Sequence, residues 1–170
     1  EAINLAIKGI FEIHQSHKNH FITLTTEHKA VLDTCRYLES KGAAVTYLPV
    51  NTEGIVDAEL LQKSITEKTL LVSVMYANNE TGVLQNIRDL SAIVHAKGVI
   101  FMSDATQAVG RIPVDMNKDG IDLLCLSAHK IYGPKGAGAL FVRRKDPRIK
   151  LFPQLHGGGH EKGMRSGTLN

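Results

Sequence analysis

A chain of 170 residues, 43% apolar and 22% charged, is long enough to bury a core and has the composition of a globular domain, which excludes a disordered or collagen-like chain. Its apolar runs fall short of the roughly 18 residues that a membrane-spanning helix needs. The chain also opens with no charged segment followed by an apolar run, so it reads as soluble and unsecreted. The formal net charge of +3 is small, and basic residues cluster only at Arg143, Arg144, Lys145, Arg148 and Lys150, a patch that reads as a solvated strand exit, so neither nucleic acid nor a membrane is expected as a partner.

The opening, EAINLAIKGIFEIHQ, has a helical period, and the polar exit HQSHKNHF places His14, His17 and His20 in solvent. HFITLT is a strand, followed by a helical pattern from Glu27 to Lys41 on which Cys35 shares a face with Val31 and Leu38. AAVTYLPV, a helix from Asp57 to Ser64, LLVSVMYA, and a helix from Asn86 to Lys97 stopped by Gly98 come next. GVIFMSDA, IDLLCLS and AGALFVRR close the series of strands. The alternation, with strands apolar on both faces, predicts an α/β fold: a mainly parallel sheet with helices on both faces. The two cysteines, Cys35 and Cys125, lie 90 positions apart and read as buried packing residues, neither a disulfide nor a metal knuckle.

In an open α/β sheet, ligands bind beyond the carboxyl ends of the strands. Four strands run into polar residues there: Thr26-Glu27-His28, Asn78-Asn79-Glu80-Thr81-Gly82, Asp104 with Gln107, and Ser127-Ala128-His129-Lys130. If the strands are parallel, all four sets share one edge. An amine on one strand exit and a carboxylate on another meet the needs of pyridoxal phosphate: a lysine for the Schiff base, and an acid that keeps the pyridine nitrogen protonated. Lys130 and Asp104 are the candidates, with Asn79 and Gln107 as neutral donors, His28 as a stacking ring, and Ser127 and His129 as phosphate donors. Each also has an ordinary reading: Asp104 as a helix cap, Asn78 and Asn79 as a turn pair before Gly82, His28 as a surface or capping residue.

Two motifs invite other chemistry and fail on geometry. GPKGAG lacks the spacing of a phosphate-binding loop and precedes a strand. HGGGH, residues 156 to 160, has metal-pair spacing, but three glycines argue against the helix that would align the two rings, so no metal site is expected.

Taken in order, TEHKAVLDTC, NNETG, DATQAVG, SAHKIYGPKGAGALFVRR and HGGGHEKGMRSGT resemble the cysteine desulfurases of the NifS and IscS type, within the class V aminotransferases, from residue 1 to residue 170. The resemblance implies the large domain of a fold-type I pyridoxal-phosphate enzyme. It implies a homodimer that removes sulfur from L-cysteine, releases alanine, and leaves a persulfide for sulfur acceptors such as iron–sulfur scaffold proteins. By motif, Lys130 matches the Schiff-base lysine, Asp104 the partner of the ring nitrogen and His28 the stacked imidazole. Asn79 and Gln107 match residues near the phenolic oxygen, Ser127 and His129 phosphate contacts, and Thr168 a threonine reaching the neighbouring subunit's phosphate. On the same pattern, residues 1–170 are a partial large domain. The family's phosphate-binding turn would precede Glu1, and a small C-terminal domain, with the nucleophilic cysteine and a carboxylate-binding arginine, would follow Asn170. Rival readings are a selenocysteine lyase, a small-amino-acid aminotransferase, or a non-catalytic scaffold that binds a sulfur acceptor; HGGGHEKGMRSGT favours the desulfurase.

Overall fold

The strands form where the apolar runs predict them: β1 (His20–Leu24), β2 (Ala44–Leu48), β3 (Thr69–Ser73), β4 (Ile100–Asp104), β5 (Leu123–Ser127) and β6 (Gly138–Val142). In the computed structural model, which describes residues 1–168, they make one sheet of order β2-β1-β3-β4-β5-β6. The first five strands are parallel to their neighbours, and β6 returns antiparallel to β5, with Ser127 opposite Gly138.

Successive strand residues point to opposite faces, and each face has its own helices. Phe21, Leu71, Met102 and Leu123 pack beneath α1 (Ala2–His14) and α2 (Lys29–Glu39), which contribute Ile7, Ile10, Val31, Cys35 and Leu38. The neighbouring residues Ile22, Val72, Phe101 and Leu124 pack on the other side against Leu61 of α3 (Ala58–Ser64) and Leu90 and Val94 of α4 (Ile87–His95). Burying each such side chain favours folding by about 1.5–3 kcal/mol before the entropy of ordering is subtracted. The expectation of helices on both faces of a mainly parallel sheet holds.

Helix starts are set by caps. Asp57 Oδ1 accepts from Glu59 N (2.8 Å) and Leu60 N (3.3 Å), which satisfies two free amides of α3. The helix expected from Glu27 begins at Lys29 instead, because Glu27 turns into the interior and His28 serves as the cap. Among the described residues, no helix is long and apolar enough to cross a membrane, and no group of His, Cys, Asp and Glu is arranged to hold a metal ion.

Two sequence readings need correction. His20 is buried, not solvated: it opens β1, and its ring nitrogens bond to Thr69 Oγ1 (2.8 Å) and Thr46 Oγ1 (2.9 Å) on the flanking strands. Burial holds its pKa below the ordinary 6.5. Arg143 is not part of the solvated basic patch. Its side chain is 15% exposed and lies against the fully buried Asp122, with Nε 3.1 Å from Oδ1 at an angle too poor for a hydrogen bond, an ion pair only. Its guanidinium also donates to Ile121 O (2.8 Å) and Met116 O (2.5 Å). The other carboxylate oxygen of Asp122 accepts from Phe101 N (3.0 Å) and meets His95 Nε2 (2.8 Å). This cluster at the amino-terminal side of β5 joins α4, β4 and the exit of β6.

The cysteines behave as read. Cys35 is 2% exposed and Cys125 1% exposed. Burial pushes the Cys35 thiol up to about 12, and that of Cys125 still higher. Two outcomes follow. Asp122→Ala strands the Arg143 guanidinium and is expected to lower stability by about 3–5 kcal/mol in denaturant unfolding of the intact protein; an unchanged midpoint would contradict the ion-pair account. Alkylation of Cys35 and Cys125, followed by mass spectrometry, is expected to run roughly 10³-fold or more slower in the native than in the unfolded protein, since the thiols react only when the core opens.

Candidate active site

Because β1 lies between β2 and β3, the connection leaving β1 for β2 and the one leaving β3 for β4 run in opposite directions, the switch point at which open α/β sheets bind ligands beyond the carboxyl ends of their strands. The exits of β1, β3, β4 and β5 all reach that edge, since those strands are parallel. Two hydrogen bonds tie the first two exits together: Met75 N donates to Glu27 Oε1 (2.5 Å), and Asn78 Nδ2 donates to Thr26 O (2.9 Å).

On the β1 exit, His28 is exposed, and its Nδ1 accepts from Ala30 N (3.1 Å) as the cap of α2. The capping reading is therefore correct, and it has a chemical consequence. Nδ1 accepts, so the ring proton sits on Nε2, on the side away from the helix. On the β3 exit, Asn78 does the work of the turn: its Oδ1 accepts from Glu80 N and Thr81 N, both at 2.9 Å. Asn79 is left exposed, with no hydrogen bond to any described residue, so its amide is available to a ligand.

Asp104 ends β4 and is 3% exposed. Its Oδ1 accepts from Thr106 N (3.0 Å), a bond that closes a turn and not the expected helix cap, since among the described residues no helix follows β4 before β5. Gln107, half-buried in the following turn, accepts from Arg111 through Oε1 (2.8 Å) and keeps its amide N–H groups unused. Strand β5 stands next to β4 with Asp104 opposite Cys125, so its exit lies beside Asp104. There Ser127 Oγ and His129 Nδ1 are 2.7 Å apart, and the chain makes one 3-10 turn over Ala128–Lys130.

That turn fixes Lys130. Gly133 N donates back to Ala128 O (2.9 Å), and a Cβ on Gly133 would come within 2.8 Å of the Ala128 side chain, so only glycine lets the chain fold this closely behind the lysine. Lys130 is exposed and makes neither a hydrogen bond nor an ion pair with any described residue. A free amine, a nearly buried carboxylate, an exposed imidazole, an unused amide and a hydroxyl–imidazole pair thus stand on adjacent strand exits. This donor set fits pyridoxal phosphate.

Thr168 is the exception. It is exposed, and no hydrogen bond links it to the other candidates; its segment is anchored instead by Arg165, whose Nε donates to Glu1 Oε1 (2.7 Å). Sequence reading placed Glu27 among the polar residues of the β1 exit and at the start of a helix, but gave it no role. A carboxylate between a strand of buried residues and a capping histidine was the available signal.

Residues 1–168 match the class-V aminotransferase family. The cysteine desulfurase IscS of Buchnera aphidicola subsp. Acyrthosiphon pisum is 58% identical over 99% of this chain and 42% of its own length, and that of Rickettsia bellii is 54% identical over 99% and 41%. Among solved structures, a NifS-like protein superposes with a TM-score of 0.94 at 43% identity, covering 99% of this chain and 46% of its own. SspA in complex with cysteine gives 0.93 at 42% identity, covering 99% and 48%. The chain spans about two-fifths of the length of the curated relatives it matches. With the sheet order, the shared edge and these matches in agreement, this chain belongs to the class-V aminotransferase family, among relatives named cysteine desulfurase.

Proposed function

We propose that this chain forms the cofactor-binding part of a pyridoxal-phosphate-dependent cysteine desulfurase that converts L-cysteine to alanine and passes the sulfur, as a persulfide, to acceptor proteins. The observation that carries the reading is the free Lys130 amine on the exit of β5 beside the nearly buried Asp104 carboxylate on the exit of β4. Support comes from relatives named cysteine desulfurase and from the likeness to SspA, whose structure holds cysteine. A homodimer, with Thr168 reaching the partner's cofactor, and a cytoplasmic or matrix location complete the proposal.

When bound, pyridoxal phosphate supplies a carbonyl for the substrate amine and a ring that accepts electrons. The residues of this chain provide what that chemistry lacks. Lys130 offers an amine with no carboxylate to hold it away from a carbonyl carbon. Asp104 holds a negative charge where little water competes, so a protonated ring nitrogen is favoured beside it. His28 offers a flat face for stacking and a proton at Nε2, with its orientation fixed by the cap on Ala30 N. Asn79 and Gln107 donate neutral N–H groups to a phenolic oxygen, and Ser127 with His129 offers hydroxyl and imidazole donors to a phosphate. Because Cys35 and Cys125 are buried with raised thiol pKa values, neither serves as the sulfur nucleophile, which this reading assigns to another part of the protein.

Borohydride reduction of the intact protein with pyridoxal phosphate is expected to label the peptide that carries Lys130. Lys130→Ala and Lys130→Arg should both lose the label, since a guanidinium stays protonated, and Lys135→Ala should keep it; a label on Lys135 would overturn the assignment. Asp104→Asn should still bind the cofactor but lower alanine release on the order of 10²-fold or more, because the amide carries no charge to hold the ring proton; near-normal release would remove Asp104 from that role.

A further inference from the structure

Glu27 sits at the same edge, where it ties the β1 and β3 exits, and its surroundings define a further task. It is 5% exposed. Its Oε1 accepts from Met75 N (2.5 Å), while its Oε2 is enclosed without a hydrogen-bond partner. The next amide along, Tyr76 N, donates to Asp104 O (2.9 Å), so consecutive amides of the β3 exit hold the Glu27 side chain and the Asp104 backbone. The titratable groups around Glu27 are Asp104 from β4 and the Cys35 thiol from α2; Cys125 of β5 faces Asp104. Among the described residues, no lysine, arginine or histidine lies within ion-pair distance of Glu27. Its neighbour His28 is engaged on the α2 cap, and Lys29 is exposed.

A carboxyl in so dry a place resists ionising, because desolvation penalises its charged form and a negative charge at Asp104 adds a smaller penalty. The partners of the two carboxyls decide which one keeps a proton. Asp104 has the Thr106 amide, and neither of its oxygens is among the enclosed oxygens left unpartnered, whereas Glu27 Oε2 is sealed with no donor. Burial, with a smaller contribution from the Asp104 charge, raises the Glu27 carboxyl well above its ordinary 4.5, against the lowering effect of the Met75 hydrogen bond.

We propose that Glu27 is a positioning residue: a neutral carboxylic acid at the β1–β3 switch point that ties the two exits together and confines the single negative charge of the pair to Asp104. The task given to Asp104 rests on the function proposed above; the protonation of Glu27 does not. A carboxyl whose folded pKa lies above its unfolded value adds stability in full below the unfolded value, and that stability is lost as pH rises toward the folded value. Glutamine has the shape of the protonated acid without the acid's titration.

Three measurements on the intact protein test this. Infrared spectra of the native protein at pH 7 are expected to show a protonated-carboxyl band that Glu27→Gln removes. The folding equilibrium constant of Glu27→Gln, divided by that of wild type, is expected to climb from near pH 4.5 upward by up to about tenfold per pH unit. The dissociation constant for pyridoxal phosphate is expected to rise about tenfold or more in Glu27→Ala and to return to within about threefold of wild type in Glu27→Gln. No carboxyl band lost in Glu27→Gln, or a stability ratio that stays flat or falls with pH, would show Glu27 ionised and overturn the proposal. Unchanged cofactor affinity in Glu27→Ala would overturn the positioning role, and if that variant does not fold, the Gln variant still decides through the band and the pH slope. A wild-type protein that binds no pyridoxal phosphate would defeat the proposed function while leaving the first two measurements to judge Glu27.

Discussion

Met75 N donating to Glu27 Oε1, with Asn78 Nδ2 donating to Thr26 O, holds together two strand exits that sequence order would send apart. β1 leads away to β2 on one side, and β3 arrives on the other and leads on to β4. The connections diverge at this point, and these two bonds span it. His28 hangs from one side and Asn79 from the other. Asp104 and the Ser127–Lys130 turn line up beyond them because β4 and β5 add in parallel register.

Rigidity on both faces supports that edge. The two cores, one under α1 and α2 and one under α3 and α4, are built from alternate residues of the same strands, so a strand cannot slip by one residue without exchanging its cores. At the opposite end of β5, Asp122 gathers Phe101 N, His95 and Arg143. The site thus sits at one end of a strand whose other end is pinned by a buried ion pair.

Much of this was legible in the sequence. Six apolar runs became six strands, and the parallel sense of β1 to β4 followed from the helices between them, while β6 returns antiparallel to β5. The exits of four strands therefore carry Lys130, Asp104, Asn79 and His28 at positions the sequence itself marks. What escaped depended on contacts distant in sequence. His20 looks polar and loose beside His17, yet Thr46 and Thr69, 26 and 49 positions away, close around its ring. Arg143 looks like one of five basic residues, and only the fold brings it to Asp122. Glu27 reads as a helix start because local pattern cannot show that the amide of Met75, 48 positions on, waits for its carboxyl. Thr168 is a different case: its assignment came from motif likeness, and among the described residues no hydrogen bond joins it to the others.

The helix cap at His28 and the turn bond at Asp104 show why ordinary and functional readings need not compete. A bond from Ala30 N orients the His28 ring, and a bond from Thr106 N holds one Asp104 oxygen, so local structure supplies the preorganisation that chemistry at the edge requires. The most direct measurement of the central claim is a crystal structure of the intact protein grown with pyridoxal phosphate. Density for the ring between His28 and Asp104, continuous with Lys130 Nζ, is the result this account predicts. A cofactor seated away from the shared strand edge, or joined to another lysine, would contradict it.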